Sequence, residues 1–268
     1  MAKITFLGTG TSQGIPMIGC SCNVCKSDDP KDNRLRTSAL VETDNGIRIL
    51  IDCGPDFRQQ MLRENITDLD AVILTHQHKD HTGGLDDIRA FNYFRQEAFP
   101  IYAEKNVQQS LKMEYSYAFA EYKYPGVPEY SLNTIDENPF TISKHIASAD
   151  GTTTSVEYEI TPIRVMHYKL PILGFRFGKM AYITDGSYIS DEDLKKLEGV
   201  ELFIINTVRK EKHISHFCLP EALEIIEKVG AKRNFITHMS HQLGTHSHLL
   251  EILPKNVEPA YDGLTLEF

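Results

Sequence analysis

Thr75-His76-Gln77-His78-Lys79-Asp80-His81-Thr82-Gly83-Gly84 is the stretch on which the reading of this chain turns. Three histidines and an aspartate fall within six positions, directly after the apolar run Ala71-Val72-Ile73-Leu74. Such a run reads as a buried strand, and the paired glycines as a turn into a helix. Side chains at alternate positions of a strand exit share a direction, so His76, His78 and Asp80 can converge. His81, at the turn, can face a second point nearby. Imidazoles suit zinc, iron or manganese, and a hard carboxylate among them suits a site that binds metal and oxygen together. A lone histidine is usually an ordinary residue; this cluster reads as metal ligands.

The rest of the composition is that of a globular protein. The 268 residues can bury a full core, and they read as one domain over 1–268. Net charge is −9 with no basic block, which argues against a long nucleic-acid partner. A small anion stays compatible, because bound metals supply positive charge locally. The start Met1-Ala2-Lys3-Ile4-Thr5-Phe6-Leu7-Gly8 lacks a long apolar region, and no stretch reaches bilayer-spanning length. The expectation is a cytoplasmic protein away from membranes. Five cysteines, three of them within six residues, suit metal binding in a reducing compartment better than disulfides.

Along the chain, residues 4–7 read as a strand ending in the turn Gly8-Thr9-Gly10-Thr11-Ser12-Gln13-Gly14. Without a Lys-Ser/Thr pair or a clear following helix, this turn reads as tight backbone packing near the site rather than a phosphate cradle. Cys20, Cys22 and Cys25 can wrap one tetrahedral ion but leave its fourth position open. The adjoining segment from Lys26 to Arg36 is polar and reads as coreless, a loop that a metal would pin. Residues 38–43 and 47–52 suggest a hairpin about Asp44-Asn45-Gly46. Asp56 to Glu64 reads as helical, as does 84–97, with Leu85, Ile88, Phe91 and Phe94 at helical spacing. A helical stretch follows over 104–121. Tyr115, Tyr117, Tyr122, Tyr124 and Tyr130 read either as core and loop residues or as a substrate lid. The same edge loop, 115–130, could mediate a homodimer.

Residues 156–166 and 174–184 read as strands, and Val200 to Ile205 as another. A helix is expected from Pro220 to Gly230, and strands at Phe235-Ile236-Thr237 and Leu264 to Phe268. One pattern recurs through the chain: an apolar strand, then a ligand-type residue at its exit. It appears at Asp52, His76, His167, Asp185 and His238.

That ordered set resembles the metallo-β-lactamase superfamily across essentially the whole chain. The resemblance implies an α/β protein, an αββα sandwich with its site at one edge between two sheets. It further implies that His76, His78 and His167 hold one divalent metal, and Asp80, His81 and His238 another, with Asp185 bridging. Asp52 would orient ligands from behind. A bridging carboxylate and a full ligand set favour phosphoester hydrolysis by a metal-bridging hydroxide.

A narrower resemblance is to the PhnP-type phosphodiesterases of the carbon–phosphorus lyase pathway. It rests on Gly8-Thr9-Gly10, Gln13-Gly14-x-Pro16, Gly19-Cys20-x-Cys22-x-x-Cys25, Thr237-His238-x-Ser240-His241-Gln242 and Asp262-Gly263. It implies a structural zinc held by Cys20, Cys22, Cys25 and His241, so the backbone must turn between His238 and His241. It implies a small cyclic ribose phosphodiester as substrate, with Asp80 and His216 taking part in catalysis. His216 would stabilise phosphoryl oxygens or protonate the leaving oxygen, with His213 a weaker candidate. The active-site metals would be zinc, manganese or iron. His145, His246 and His248 read as structural or surface residues, and Cys53 and Cys218 as small buried hydrophobes.

Three rival readings share these motifs. A cyclic-nucleotide phosphodiesterase has the same ligand needs. A tRNA 3′-end nuclease would carry a long arm between the third-motif histidine and the bridging aspartate, yet only 18 positions separate His167 from Asp185. An inactive zinc-binding scaffold would be expected to have lost ligands, and all seven positions are present.

Overall fold

The computed structural model describes residues 1–147 and 153–268. Two sheets form the frame. The first runs, in spatial order, Thr265–Glu267, Lys3–Gly8, Ser38–Glu42, Arg48–Ile51, Ala71–Ile73, Phe99–Ala103, Tyr130–Thr134. The second runs Tyr188–Ile189, Thr153–His167, Leu170–Phe177, Met180–Ile183, Leu202–Asn206, Arg233–Thr237, Val257–Pro259, and Phe140–Ala147 pairs with Thr153–His167. In each sheet the antiparallel strands give way to parallel ones, from Arg48–Ile51 onward in the first and from Met180–Ile183 onward in the second.

Parallel strands are covered on both faces and therefore read as continuous apolar runs. All five residues of Leu202–Asn206 are buried, as are all four of Met180–Ile183. Between the sheets lie Phe6, Ile49 and Ile73 from one side and Phe175, Tyr182 and Ile204 from the other. The outer face of the first sheet packs on Phe57, Phe91, Val107 and Leu111, which come from its helical connections. Helix Leu219–Val229 covers the second sheet through Ala222, Ile225 and Ile226. The layering is the αββα sandwich expected from the motif order.

Several local readings change. The expected strand over 174–184 is the end of Leu170–Phe177 followed by Met180–Ile183, a hairpin turned at Gly178, whose φ is 55°. The expected helix over 84–97 is a 3-10 turn, Leu85–Ile88, running into helix Arg89–Arg95. Phe94, assigned to its buried stripe, is 81% exposed, because the shift of helical pitch rotates it outward. The segment 26–36 is not coreless: Asp32 and Arg34 are buried as an ion pair at 3.3 Å. Strands Phe99–Ala103, Tyr130–Thr134, Phe140–Ala147 and Val257–Pro259 are not among those expected from the sequence.

Candidate metal centre

The strand exits converge at one edge of the sandwich. Asp52, Asp185 and His238 each lie one or two residues past a strand and take left-handed backbone, at φ 60°, 57° and 52°. Holding a non-glycine residue there costs about 1 kcal/mol or more, and such strain concentrates at functional sites. Three of the six non-glycine residues with positive φ among those described are thus candidate site residues.

The decamer is fixed from below. Thr75 O accepts from Leu173 N of the other sheet at 3.1 Å, and Cys53 N donates to His81 O at 2.8 Å. A methyl group on Gly54 would lie 2.1 Å from Asp80 O, so only glycine lets these two backbones pass. Asp52 then gathers hydrogen bonds from Thr75 and His81. Thr75 N and Thr75 Oγ1 donate to it at 2.8 and 2.9 Å, and His81 Nδ1 donates at 2.7 Å. With its hydroxyl proton given to Asp52, Thr75 Oγ1 accepts from His76 Nδ1 at 2.9 Å, which leaves a lone pair on His76 Nε2. His167 Nδ1 donates to Ser215 O at 2.7 Å, leaving its Nε2 free as well. Such outer hydrogen bonds set the tautomer of metal-binding histidines.

Asp52→Asn is therefore expected to weaken active-site metal affinity by about 10–100-fold, because it replaces one carboxylate oxygen, an acceptor for Thr75 or His81, by an NH2 group and removes the charge. Competition with a chromogenic chelator measures this. Unchanged affinity would show that Asp52 only fills space.

The candidate ligand atoms form groups lying within 4.8 Å of one another. His76, His78 and His167 make one; Asp80, His81, Asp185 and His238 make a second. Asp185 also groups with His167 and His216, and so stands between the first two. Its Oδ2 is 3.1 Å from His81 Nε2 and 3.2 Å from His238 Nε2. Despite these distances, both nitrogens are buried without a hydrogen-bond partner. They point not at the carboxylate but, with it, toward a common position.

Charge supports the same reading. Burial would lower the His81 pKa, but Asp185, Asp52 and Asp80 raise it well above the ordinary value. The position facing its Nε2 thus favours a positive charge, from a proton or a metal ion. Burial and then His81 push His76 well below its usual value, and burial and His167 lower His78. Those two imidazoles are neutral, as metal ligation requires. Burial works against ionised Asp185, yet His238 and His81 hold it well below the usual carboxylate range. Imidazole nitrogens and hard carboxylates in this mixture fit divalent zinc, manganese or iron.

A second cluster lies apart. Cys20 Sγ, Cys22 Sγ and Cys25 Sγ approach His241 Nδ1 at 3.2, 3.4 and 3.7 Å. The backbone does turn between the two histidines: Met239 N donates to Thr9 O at 2.8 Å, and Ser240 N to Val208 O at 3.0 Å. His238 thereby faces one cluster and His241 the other. Buried Arg34 braces the turn, donating to Gly244 O at 2.9 Å. Asp262, which burial pushes up to about 6, accepts from Thr9 Oγ1 and Leu35 N at 2.8 Å each and ties the glycine-rich turn to the same corner.

The backbone N–H of Cys25 lowers the Cys22 pKa to about 6, whereas burial raises Cys25 to about 11 and Cys53 well above its usual value. Cys22 is a thiolate above pH 6 and a thiol below it. In metal-free protein at pH 7, iodoacetamide should label Cys22 first and Cys53 not at all, with Cys22 labelling falling below pH 6. Peptide mass mapping reads the order; Cys53 labelling first would contradict it.

The first two clusters open into a cavity of about 280 Å³, lined also by Thr11, Ser12, Arg209, His213, Ser240 and Gln242. His216 lines it too, its Nδ1 3.7 Å from Asp185 Oδ1. Burial and then His238 push His216 down to about 3, so it is neutral at pH 7 and suited to hydrogen bonding rather than to delivering a proton. None of the tyrosines from 115 to 130 lines this cavity. Tyr115 is buried and donates to Thr82 O at 2.7 Å, Tyr130 donates to Leu85 O at 3.0 Å, and Tyr122 and Tyr124 are exposed. Two act as struts behind the metal loop, and the lid reading has no support here. His246 is buried, His145 exposed, and Cys53 and Cys218 buried. Arg209 was not read from the sequence as a site residue, and Thr11 and Ser12 were read only as part of a glycine-rich turn packed near the site.

Residues 47–239 match the family model described as a Beta-lactamase superfamily domain. The chain belongs to that superfamily. The crystal structure of a new diphosphatase from the PhnP family is 37% identical, with a TM-score of 0.86, over 100% of this chain and 98% of that one. An octanoyltransferase of Porphyromonas gingivalis is 43% identical over 98% of this chain and 51% of its own length. This chain therefore spans about half the length of that curated relative. The short form of human tRNase Z, at 17% identity and a TM-score of 0.66 over 99% and 98% of the two chains, shares the fold. The superfamily and its fold are thus those of metallo-β-lactamase type, and the His/Asp clusters could hold metal ions.

Proposed function

We propose that this chain is a metal-dependent phosphodiesterase acting on a small phosphodiester, a cyclic ribose phosphate being the best candidate. The observation that carries the reading is Asp185, set between two ligand clusters with one oxygen directed at His81 and His238 and the other at His216. His76, His78 and His167 would hold one ion, and Asp80, His81 and His238 the other, with Asp185 shared. Cys20, Cys22, Cys25 and His241 would hold a structural zinc.

Two such ions, when bound, supply an activated water and neutralise charge on the phosphoryl group. The chain's own residues do the rest. Asp52 and Ser215 O fix the imidazoles of His81 and His167, so little rearrangement accompanies reaction. Neutral His216 places an N–H at the cavity wall, where it can hydrogen-bond a phosphoryl oxygen. Asp80 lies 3.4 Å from His81 Nε2 and 3.9 Å from His238 Nε2 and orients the same corner as a ligand. The small cavity favours a compact substrate over a polymer.

A tRNA 3′-end nuclease is disfavoured, because the residues between His167 and Asp185 are spent on a hairpin within the sheet, Leu170–Phe177 and Met180–Ile183. About half of the Porphyromonas gingivalis relative lies outside the match, so its name need not describe this half. Cytoplasmic residence and a homodimer through 115–130 remain part of the proposal; no helix among the described residues is long and apolar enough to cross a membrane.

The test is substrate profiling of zinc- and manganese-loaded protein on bis(p-nitrophenyl) phosphate, 1,2-cyclic ribose phosphate, 2′,3′-cyclic nucleotides and a precursor tRNA. Highest kcat/KM on the cyclic ribose phosphate is expected. Preference for cyclic nucleotides or cleavage of the tRNA would replace the substrate assignment.

A further inference from the structure

The thiol cluster sits at the surface and is joined by a very short piece of chain to the metal centre. Cys20 and Cys22 are half-buried, Cys25 is buried behind them, and the ligand atoms of all three lie within 4.8 Å of one another and of His241. Cys25 N donates to Cys22 Sγ at 3.5 Å and Met17 N to Cys25 Sγ at 3.4 Å, so the two sulfurs share one backbone turn. An accessible thiolate with a second thiol poised beside it is the arrangement in which oxidation ends in a disulfide. The other two cysteines, Cys53 and Cys218, are buried, so an oxidant in solution meets this cluster first. The corner has little else to hold it: Ile15, Val24 and Cys25 form its core with Met17 against them, and Ile18 is exposed. From His241 the chain runs through Ser240 and Met239 to His238, with Met239 N donating to Thr9 O at 2.8 Å and Ser240 N to Val208 O at 3.0 Å. Val208 and Ser240 also line the cavity, so a shift of this turn moves the cavity wall together with His238.

We propose that Cys22 and Cys25 are a reversible oxidation site whose disulfide switches the neighbouring His/Asp centre off. This rests on the structural-zinc reading of the thiols and, for one readout, on the phosphodiesterase reading. The Cys22 thiolate takes one oxygen from hydrogen peroxide as the O–O bond breaks, giving a sulfenic acid and a hydroxide ion. The Cys25 thiolate then attacks that sulfur, the S–O bond breaks, and a second hydroxide leaves as the S–S bond forms. Two electrons pass from the sulfurs to the peroxide. The step consumes two ligands, and Cys20 with His241 is too small a set for a tetrahedral zinc site. The turn leading to His238 then loses the tie at its His241 end. A dithiol reverses the bond by exchange.

The experiment treats the zinc-loaded full chain with hydrogen peroxide, zinc itself being redox-inert. Zinc released to a chromogenic chelator, cysteine state by peptide mass mapping and turnover of bis(p-nitrophenyl) phosphate are followed together. The expected result is a Cys22–Cys25 disulfide with Cys53 and Cys218 still thiols, and zinc released in step with it. Turnover should fall about 10–100-fold, the range for losing a partner that orients a metal ligand. Dithiothreitol followed by zinc should restore all three. Zinc retained on intact thiols, a disulfide that leaves turnover unchanged, or a loss that dithiothreitol does not reverse overturns the proposal. If untreated protein binds no more zinc than Cys25→Ser, the structural-zinc reading fails; turnover lowered by the disulfide then keeps the switch, and unchanged turnover overturns it. If untreated protein has no turnover, the phosphodiesterase reading fails. Zinc affinity of the His/Asp clusters then decides: weaker in the oxidised chain keeps the switch, and equal affinity overturns it.

Discussion

Asp185→Asn is expected to lower kcat/KM on bis(p-nitrophenyl) phosphate by at least about a thousandfold, since metal-derived stabilisation of several kcal/mol is lost at about 1.4 kcal/mol per tenfold. The substitution keeps the side-chain shape. Asn also tolerates the left-handed backbone at φ 57°, and Thr184 Oγ1 can still donate to the side-chain oxygen as it does to Oδ2 at 2.8 Å. What is lost is the charge shared by His81, His238 and His216. Metal analysis should find less than the wild-type complement, with an unchanged circular dichroism spectrum. Full activity would show that Asp185 only supports its neighbours.

Cys25→Ser should act through stability. The thiol cluster pins the segment from Gly19 to Arg36, which has few apolar contacts beyond Ile15, Val24 and Met17, to the turn carrying His238. Metal binding to such a site is folding free energy. Losing even about 3 kcal/mol of it lowers Tm by roughly 6–12 °C in a chain of this size. One zinc ion should be lost per chain. Activity should fall as well, because only Met239 and Ser240 separate His238 from His241. Calorimetry with metal analysis checks all three; an unchanged Tm with zinc retained would remove Cys25 from the site.

The architecture and the site differ in how much of each was legible. Strands such as Ala71–Ile73 and Leu202–Asn206 are buried on both faces and announce themselves as unbroken apolar runs. Tyr130–Thr134 and Phe140–Ala147 are partly exposed and alternate apolar with polar residues only weakly, through Tyr130 and Leu132 and through Phe140, Ile142 and Ile146, so pairing with a neighbour completes them. At the site, the clustering could be read because histidines and aspartates recur at strand exits. The backbone that aims them could not. Asp52, Asp185 and His238 sit in left-handed conformations that their residue types do not require, imposed by the sheets beneath. Arg34 is a similar case: a charged residue in a polar segment gave no hint of full burial, which Asp32 and the 240–244 turn make tolerable.

The measurement that bears most directly on the account is turnover of bis(p-nitrophenyl) phosphate by one preparation, first stripped with a chelator and then titrated with zinc or manganese. The predicted result is activity that vanishes on stripping and returns in step with metal filling the His/Asp clusters. Turnover that survives complete removal of metal, or none from fully loaded protein, would contradict it.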